Sequence, residues 1–308
     1  MLLAFLRLIR FPNLLIVALT QYFVFYFLIR PLFALAELPT ALDHWHFAGL
    51  VLSTMLIAAC GYIINDLYDL NIDRRNKPDR MILERLIPVS TGWLIYWTLL
   101  VLGFLLSLYL AWYVQNIPLV LLYPLANGLL WLYAWRWKRG FLVGNLVVSF
   151  FCAFVAGIVW FAERLSYRNL LAERPSIALL LGGLLLTYLG FAFLSTWFRE
   201  LIKDLEDREG DAADGCRTMP IVWGLSRSLF FTRLLGVLLI ALEIALGGYL
   251  LAQGSWLGSA LLLLTVFFPS VWSMWVLRGE PTKEAFHQAS QWAKFVMFAG
   301  IFLLPFMY

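Results

Sequence analysis

The sequence predicts an all-α integral membrane protein of nine transmembrane helices, and three observations predict it. Of 308 residues, 62% are hydrophobic and only 14% are charged, whereas soluble domains are roughly 45–50% apolar and about 25% charged. Mean hydropathy is +0.82. Uncharged apolar stretches of about 20 residues, enough to cross the hydrocarbon core as a helix, recur along the whole chain. A single membrane domain over residues 1–308 is expected, with no soluble appendage.

The spans follow from uninterrupted apolar windows. The first covers 13–30. Its apolar run continues to Ile29 with no small-residue cleavage site behind it, so it is expected to be a retained span and not a signal peptide. The others are 47–64, 93–114, 117–135, 141–162, 176–198, 231–251, 255–277 and 290–308. The seventh contains Glu243, expected to snorkel or to pair with another helix, and the ninth carries Lys294 near its start. Gln115 and Asn116 join the third and fourth spans, and Ala252 to Gly254 join the seventh and eighth.

Basic residues set the orientation. On the side of the N-terminus fall Arg7, Arg10, Arg74, Arg75, Lys77, Arg80, Arg85, Arg136, Lys138 and Arg139. The same side receives Arg199, Lys203, Arg208, Arg217, Arg227, Arg233, Arg278 and Lys283. Only Arg30, Arg164, Arg168 and Arg174 fall on the other. The positive-inside rule then puts the N-terminus in the cytoplasm and, with nine spans, the C-terminus on the opposite side. Trp93, Trp131, Trp135, Trp160, Trp256 and Trp272 lie near predicted helix ends and are expected to anchor at the interface or face lipid.

Several function classes are excluded early. Cys60, Cys152 and Cys216 are far apart with no C-x-x-C spacing, and three histidines form no cluster, so neither a disulfide framework nor a zinc site is expected. The net charge of +4 is explained by topology and gives no reason to expect nucleic acid as a partner.

Two acidic patterns remain. The second span runs into Asn65-Asp66-Leu67-Tyr68-Asp69-Leu70-Asn71-Ile72-Asp73, and the sixth runs into a segment bearing Asp204, Asp207 and Asp211. Both triads are spaced i, i+3, i+7, which on a helix places the carboxylates on one face. Such a row repels itself unless cations sit among the charges. A solvated loop accounts for one acidic run, but less well for two copies of the same spacing on one side of a chain holding only 19 acids.

Mg²⁺ is a hard ion, usually held by a few carboxylates plus substrate phosphates. A diphosphate held through Mg²⁺ between two aspartate rows satisfies charge and coordination together. Lys77, Arg80, Arg199, Lys203 and Arg217 lie close in sequence and could neutralise the remaining phosphate charge. At the mouth of a membrane bundle, a polar diphosphate head with a long apolar tail suits better than a soluble nucleotide. The expected substrate is a polyprenyl diphosphate whose allylic C–O bond ionises as the leaving diphosphate is stabilised. A dry cavity keeps the carbocation from water. Faces such as Tyr62, Tyr68, Tyr133 or Trp197 could stabilise it, although packing is the commoner role of any one of them.

The motifs resemble the UbiA superfamily of intramembrane prenyltransferases. Asn65, Asp66, Asp69 and Asp73 match its first motif, N-D-x-x-D-x-x-x-D, and Asn76-Lys77-Pro78-Asp79-Arg80 is similar to its N-x-P-x-R extension. Asp207 and Asp211, with Asp204 upstream, match D-x-x-x-D, and Gly215 to Pro220 is similar to the following G-x-[KR]-[ST] run. Arg10-Phe11-Pro12-Asn13 resembles the start of the family's first helix, where the Asn lies near the diphosphate. Tyr133 to Lys138 and Gly144-Asn145 resemble its fourth and fifth helices, where the Lys is associated with diphosphate binding. The resemblance covers at least Arg10 to Gly224. It implies nine helices around a central cavity, with both motifs in cytoplasmic capping loops. It further implies two Mg²⁺ ions between Asn65, Asp66, Asp69, Asp73 and Asp207, Asp211, with Asp204 added as a ligand on spacing.

One departure concerns the branch. Many members continue the N-x-P-x-R run with Pro-Leu and a small residue, whereas Met81-Ile82-Leu83-Glu84-Arg85 follows here. The stretch Arg199 to Asp211 looks most like the branch that geranylgeranylates a glyceryl phosphate lipid precursor. Aromatic acceptors (quinone and tocopherol precursors, chlorophyllide, haem) stay open. Of other classes, a cation or lipid transporter would need ionisable residues or broken helices near mid-membrane, where only Glu243 qualifies, and a non-catalytic prenyl-lipid binder would need the motifs without turnover.

Overall fold

A computed structural model describes residues 1–76, 79, 81–279 and 281–307. Twelve α-helical segments are present among them, besides short 3₁₀ turns. In chain order they are α1 (Leu2–Leu8), α2 (Phe11–Leu35), α3 (His44–Asn76), α4 (Val89–Tyr113), α5 (Pro118–Trp135) and α6 (Val143–Ala162). They continue with α7 (Arg164–Glu173), α8 (Pro175–Ala213), α9 (Met219–Trp223), α10 (Leu225–Ala252), α11 (Trp256–Val276) and α12 (Lys283–Ile301). No strand occurs among the described residues.

Among the described residues, eight helices are long and apolar enough to cross a membrane: α2, α3, α4, α5, α6, α8, α10 and α11. The expected ninth span is the exception. Its counterpart α12 has 19 residues, but Lys283, Glu284, His287, Gln288, Gln291 and Lys294 make its first two-thirds polar. The nine-span count is therefore one too many by this criterion, while the all-α membrane class holds.

Helix length is the feature that positions the acidic motifs. With 33 residues in α3 and 39 in α8, at about 1.5 Å per residue these run roughly 50 and 60 Å, against a hydrocarbon core of about 30 Å. The surplus turns carry Asn65 to Asp73 and Asp204 to Asp211. The motifs are thus continuous helix and not the capping loops that the resemblance implied. The i, i+3, i+7 spacing is compatible with helix wherever cations offset the like charges.

The chain forms two compact units. The first comprises residues 1–22, 32–138 and 158–178. Its core joins Leu8 and Leu14 to Cys60, Ile63, Ile64, Leu67 and Tyr96. Gly103 of α4 is required here, because a Cβ would lie 1.9 Å from the Tyr123 hydroxyl. That hydroxyl donates to the Leu99 carbonyl at 3.3 Å. Leu83, within the departing segment, is buried in the same core, and Glu84 pairs with Arg74. That segment is thus a packed closure of the unit.

The second unit comprises residues 23–31, 139–157 and 179–308. Its core brings together Phe198, Leu201, Ile202 and Leu205 of α8, Leu235 and Leu239 of α10, Met274 of α11 and Phe286 of α12. Glu243 is buried within it and accepts a hydrogen bond of 2.7 Å from Ser270 Oγ. It pairs with a neighbouring helix and does not snorkel.

The tryptophans divide. Trp135, Trp256 and Trp272 are exposed, as expected of side chains facing lipid or its interface. Trp93 and Trp131 instead pack on one another and on Tyr96, with ring centroids 5.6–6.0 Å apart. Trp160 packs edge-on against Tyr167.

Candidate diphosphate and metal site

The first half-site lies in the first unit and is built on the last turns of α3. Asn65 Nδ2 donates to Asp69 Oδ2 at 2.9 Å, one helical turn away. A single-turn 3₁₀ helix, Trp137–Arg139, follows α5 and presents Lys138. The Lys138 ammonium donates to Asn65 Oδ1 at 3.0 Å and to the Asp69 carboxylate. Only 13% of that side chain is exposed, against 20% of Asp69, so the pair is shielded from the screening that weakens surface ion pairs.

Asp66 has its own cation. Arg10 Nη2 donates to Asp66 Oδ1 at 3.0 Å, and the guanidinium lies over the Tyr62 ring, 4.8 Å from its centroid. Arg10 reaches this position from the break between α1 and α2, where its backbone is left-handed with φ 50°. Asn13 follows in the first turn of α2, its N–H bonded to the Arg10 carbonyl at 2.8 Å. Tyr68 accepts a hydrogen bond from Trp131 Nε1 at 2.8 Å. Asp73 is half-buried further along α3.

The second half-site lies in the second unit, on the last turns of α8. Asn145, near the start of α6, donates from Nδ2 to Asp204 Oδ2 at 3.0 Å. It is held by its own helix, where Ser149 Oγ donates to its carbonyl at 2.7 Å. Lys203 is close enough to act electrostatically on both Asp204 and Asp211. Asp207 is exposed, while Asp204 and Asp211 are half-buried. Between them Glu206 turns to α12 and pairs with His287 at 2.9 Å.

Two expected diphosphate ligands have other contacts. Arg199 donates to Glu200 at 2.6 Å, and its Nε is buried without a hydrogen-bond partner. Arg217 is exposed, and its N–H bonds the Arg139 carbonyl at 2.8 Å, tying the segment after α8 to the start of the α6 region. Lys77 and Arg80 lie outside the described residues.

Each half-site offers carboxylate and amide oxygens, the donor set of a hard cation. Among the described residues, no three acidic, histidine or cysteine side chains converge as a ready-made metal cage. Mg²⁺ keeps waters and takes one or two carboxylates together with substrate phosphates. Arg10 and Asn145, the two partners that fix the acids, are not legible as such in the sequence. The motif matches contained both residues, but their pairing with acids 56 and 59 positions away leaves no local signal.

Comparison with known proteins gives the family. Residues 16–305 match the UbiA prenyltransferase family. A digeranylgeranylglyceryl phosphate synthase of Methanocaldococcus jannaschii is 31% identical over 251 residues, covering 82% of this chain and 79% of the relative. That of Methanothermobacter thermautotrophicus is 33% identical over 252 residues, covering 78% of each. Among solved structures, one of a digeranylgeranylglyceryl phosphate synthase in membranes superposes with a TM-score of 0.68 at 24% identity, covering 99% of this chain and 98% of the other. A UbiA homologue from Archaeoglobus fulgidus, bound to DMAPP and Mg²⁺, gives 0.57 at 17% identity, with 98% of each chain covered. Fold, acidic rows and family match agree: the chain belongs to the UbiA family and is a multi-pass membrane prenyltransferase.

Proposed function

We propose that this enzyme transfers a geranylgeranyl group from its diphosphate to geranylgeranylglyceryl phosphate, releasing diphosphate. One observation carries the reading. The Lys138 ammonium bridges Asn65 and Asp69 in a mostly buried setting, which puts a cation and oxygen donors for a second cation at one point. Relatives at 31% and 33% identity that act as digeranylgeranylglyceryl phosphate synthases support the choice of acceptor.

In this account Asn65, Asp66, Asp69 and Asp73 form one metal half-site, and Asp204, Asp207 and Asp211 form the other. When bound at these oxygens, Mg²⁺ (two ions in this proposal) would supply Lewis-acid stabilisation of charge on the departing diphosphate. The rest falls to the chain's own residues. Asn65 and Lys138 hold Asp69 in one rotamer, and Arg10 does the same for Asp66. Asn145 fixes Asp204. Preorganised acids need no reorganisation when the C–O bond breaks, and this is where electrostatic catalysis gains most. Lys138, Lys203 and Arg217, with Asn13, Lys77, Arg80 and Arg199, are proposed to face phosphate oxygens. As the C–O bond ionises, its electron pair leaves with diphosphate. The acceptor hydroxyl then attacks the allylic carbon and loses its proton as the ether forms.

The asymmetry of basic residues supports a cytoplasmic location for the N-terminus and both acidic rows. The C-terminus lies on the opposite side if α12 crosses. Its 19 residues are about 28 Å long and bury Phe286, Ala289, Ala293, Val296 and Gly300 along one face.

The test uses purified protein in nanodiscs with Mg²⁺ and labelled geranylgeranyl diphosphate. It is offered geranylgeranylglyceryl phosphate or a panel of aromatic acceptors, and products are identified by mass spectrometry. The reading expects the diether phosphate as product. Prenylated aromatic product alone would move the chain to another branch, and no product from any acceptor would overturn the assignment.

A further inference from the structure

Outside the acidic rows, the second unit contains a groove of about 400 Å³ lined by Trp223, Ser226, Arg227, Phe230 and Phe231. The chain makes it by turning a corner. Gly224 separates α9 from α10 with φ 79°, a left-handed conformation that costs glycine little, and this sets Trp223 beside the first two turns of α10. Phe231 packs edge-on against Trp223 at 5.8 Å, and Trp223 against Phe141 at 5.0 Å. The wall is therefore braced from behind.

At this aromatic wall the charge is positive only. Arg227 is exposed, and among the described residues no hydrogen bond or ion pair engages its guanidinium. The first turn of α10 holds no acidic residue, and no side chain caps its N–H groups. Beyond Arg227 the surface changes character. Phe230 is 69% exposed, Leu234 56% and Val237 56%. These positions follow Arg227 at i+3, i+7 and i+10, one face of the helix, and they run into a membrane-spanning segment. An unpaired guanidinium at the polar end of an apolar stripe is the complement of an amphiphile with an anionic head.

We infer that this groove binds a bilayer lipid, with its headgroup phosphate on Arg227 and its chain along Phe230, Leu234 and Val237. Charge complementarity and the apolar stripe select the occupant. A free phosphate would leave the stripe bare, and a zwitterionic lipid would set its own cation against Arg227. Anionic lipids collect at basic residues flanking membrane helices, and aromatic side chains sit at the same depth. The groove includes none of the acidic residues, and its test does not depend on turnover.

The test places the full-length protein in nanodiscs of phosphatidylcholine mixed with photoactivatable phosphatidylglycerol, or with photoactivatable phosphatidylcholine as the control. After irradiation, crosslinked peptides are mapped by mass spectrometry. Labelling of the segment from Trp223 to Phe231 is expected with phosphatidylglycerol. It should fall about fivefold in Arg227→Gln, the ratio that corresponds to about 1 kcal/mol for one basic residue at an anionic surface. Arg227→Lys should restore most of it, and Arg168→Gln, on α7, should leave it unchanged. Equal labelling by the two lipids, or undiminished labelling in an Arg227→Gln protein that elutes as the wild type does, overturns the inference. Loss of the crosslink on adding geranylgeranylglyceryl phosphate also overturns it, since the groove would then be an acceptor site.

Discussion

Replacing Lys138 by methionine removes a charge at nearly constant side-chain length and so probes the first half-site directly. The ammonium holds Asn65 Oδ1 at 3.0 Å and the Asp69 carboxylate. Without it, Asp69 keeps only the 2.9 Å bond from Asn65 Nδ2, and a carboxylate 20% exposed loses its cation. Leaving such groups unsatisfied costs about 1–3 kcal/mol of stability, so the variant folds with a lower melting temperature. The effect on chemistry is larger. A preorganised donor aimed at developing negative charge contributes about 3–4 kcal/mol to a transition state, or roughly 10²–10³ in rate. Diphosphate release from geranylgeranyl diphosphate in nanodiscs, at saturating Mg²⁺ and acceptor, should fall by that factor. Lys138→Arg should recover part of it, because charge is kept while the single-point ammonium becomes a planar fork. If Lys138→Met turns over within about threefold of wild type, the ammonium does not act on the leaving group and the reasoning fails.

Three further predictions address the second half-site, the opposite end of the spans and the packing. Asn145→Ala removes the 3.0 Å bond to Asp204 and should lower the rate about tenfold, the equivalent of one hydrogen bond of about 1.4 kcal/mol to a charged group; Asn145→Asp, which sets like charges together, should lower it further, and equal rates in both would show that Asp204 needs no fixing. Burial pushes the Glu163 carboxyl up from 4.5 to about 7, against the N–H bonds it accepts from Ala41 and Leu42. The protonated form is therefore favoured on folding, and its stabilisation is full below pH 4.5 and lost as pH rises to about 7, on the order of 3 kcal/mol in all. The melting temperature should drop between pH 5 and pH 8, and Glu163→Gln should flatten that drop; an unchanged slope in the variant would refute the assignment. Gly103→Ala forces a Cβ onto the Tyr123 hydroxyl and should destabilise by about 1–3 kcal/mol, seen as a lower melting temperature that Gly103→Ala/Tyr123→Phe partly restores.

What could be read from the sequence was periodic or compositional. Hydropathy located the membrane helices because apolar length is a local property, and the acidic rows stood out because i, i+3, i+7 is a local spacing. Where those two signals met, local reading failed. The second and sixth windows end at residues 64 and 198, where polar residues begin, yet α3 and α8 continue to Asn76 and Ala213. Arg10, Lys138 and Asn145 offset or fix the acids from 56 to 69 positions away, which no window can register. Lys138 is legible only through the resemblance, and Arg10 and Asn145 appear in the motif matches without their partners. Trp93 and Trp131 resembled interface anchors by position, but the pocket that holds them is made by Tyr68 and Tyr96 from other turns. For α12 the error ran the other way: its apolar C-terminal half suggested a span that its polar first turns dilute.

The central claim is that both acidic rows act in ionising a prenyl diphosphate. It is tested most directly by single-turnover diphosphate release in nanodiscs containing Mg²⁺, geranylgeranyl diphosphate and geranylgeranylglyceryl phosphate, comparing wild type with Asp69→Asn and Asp207→Asn. The account predicts release in the wild type, and none in either variant or in excess chelator, with all three proteins eluting as folded species. Full turnover in either variant, or with the metal removed, would contradict it.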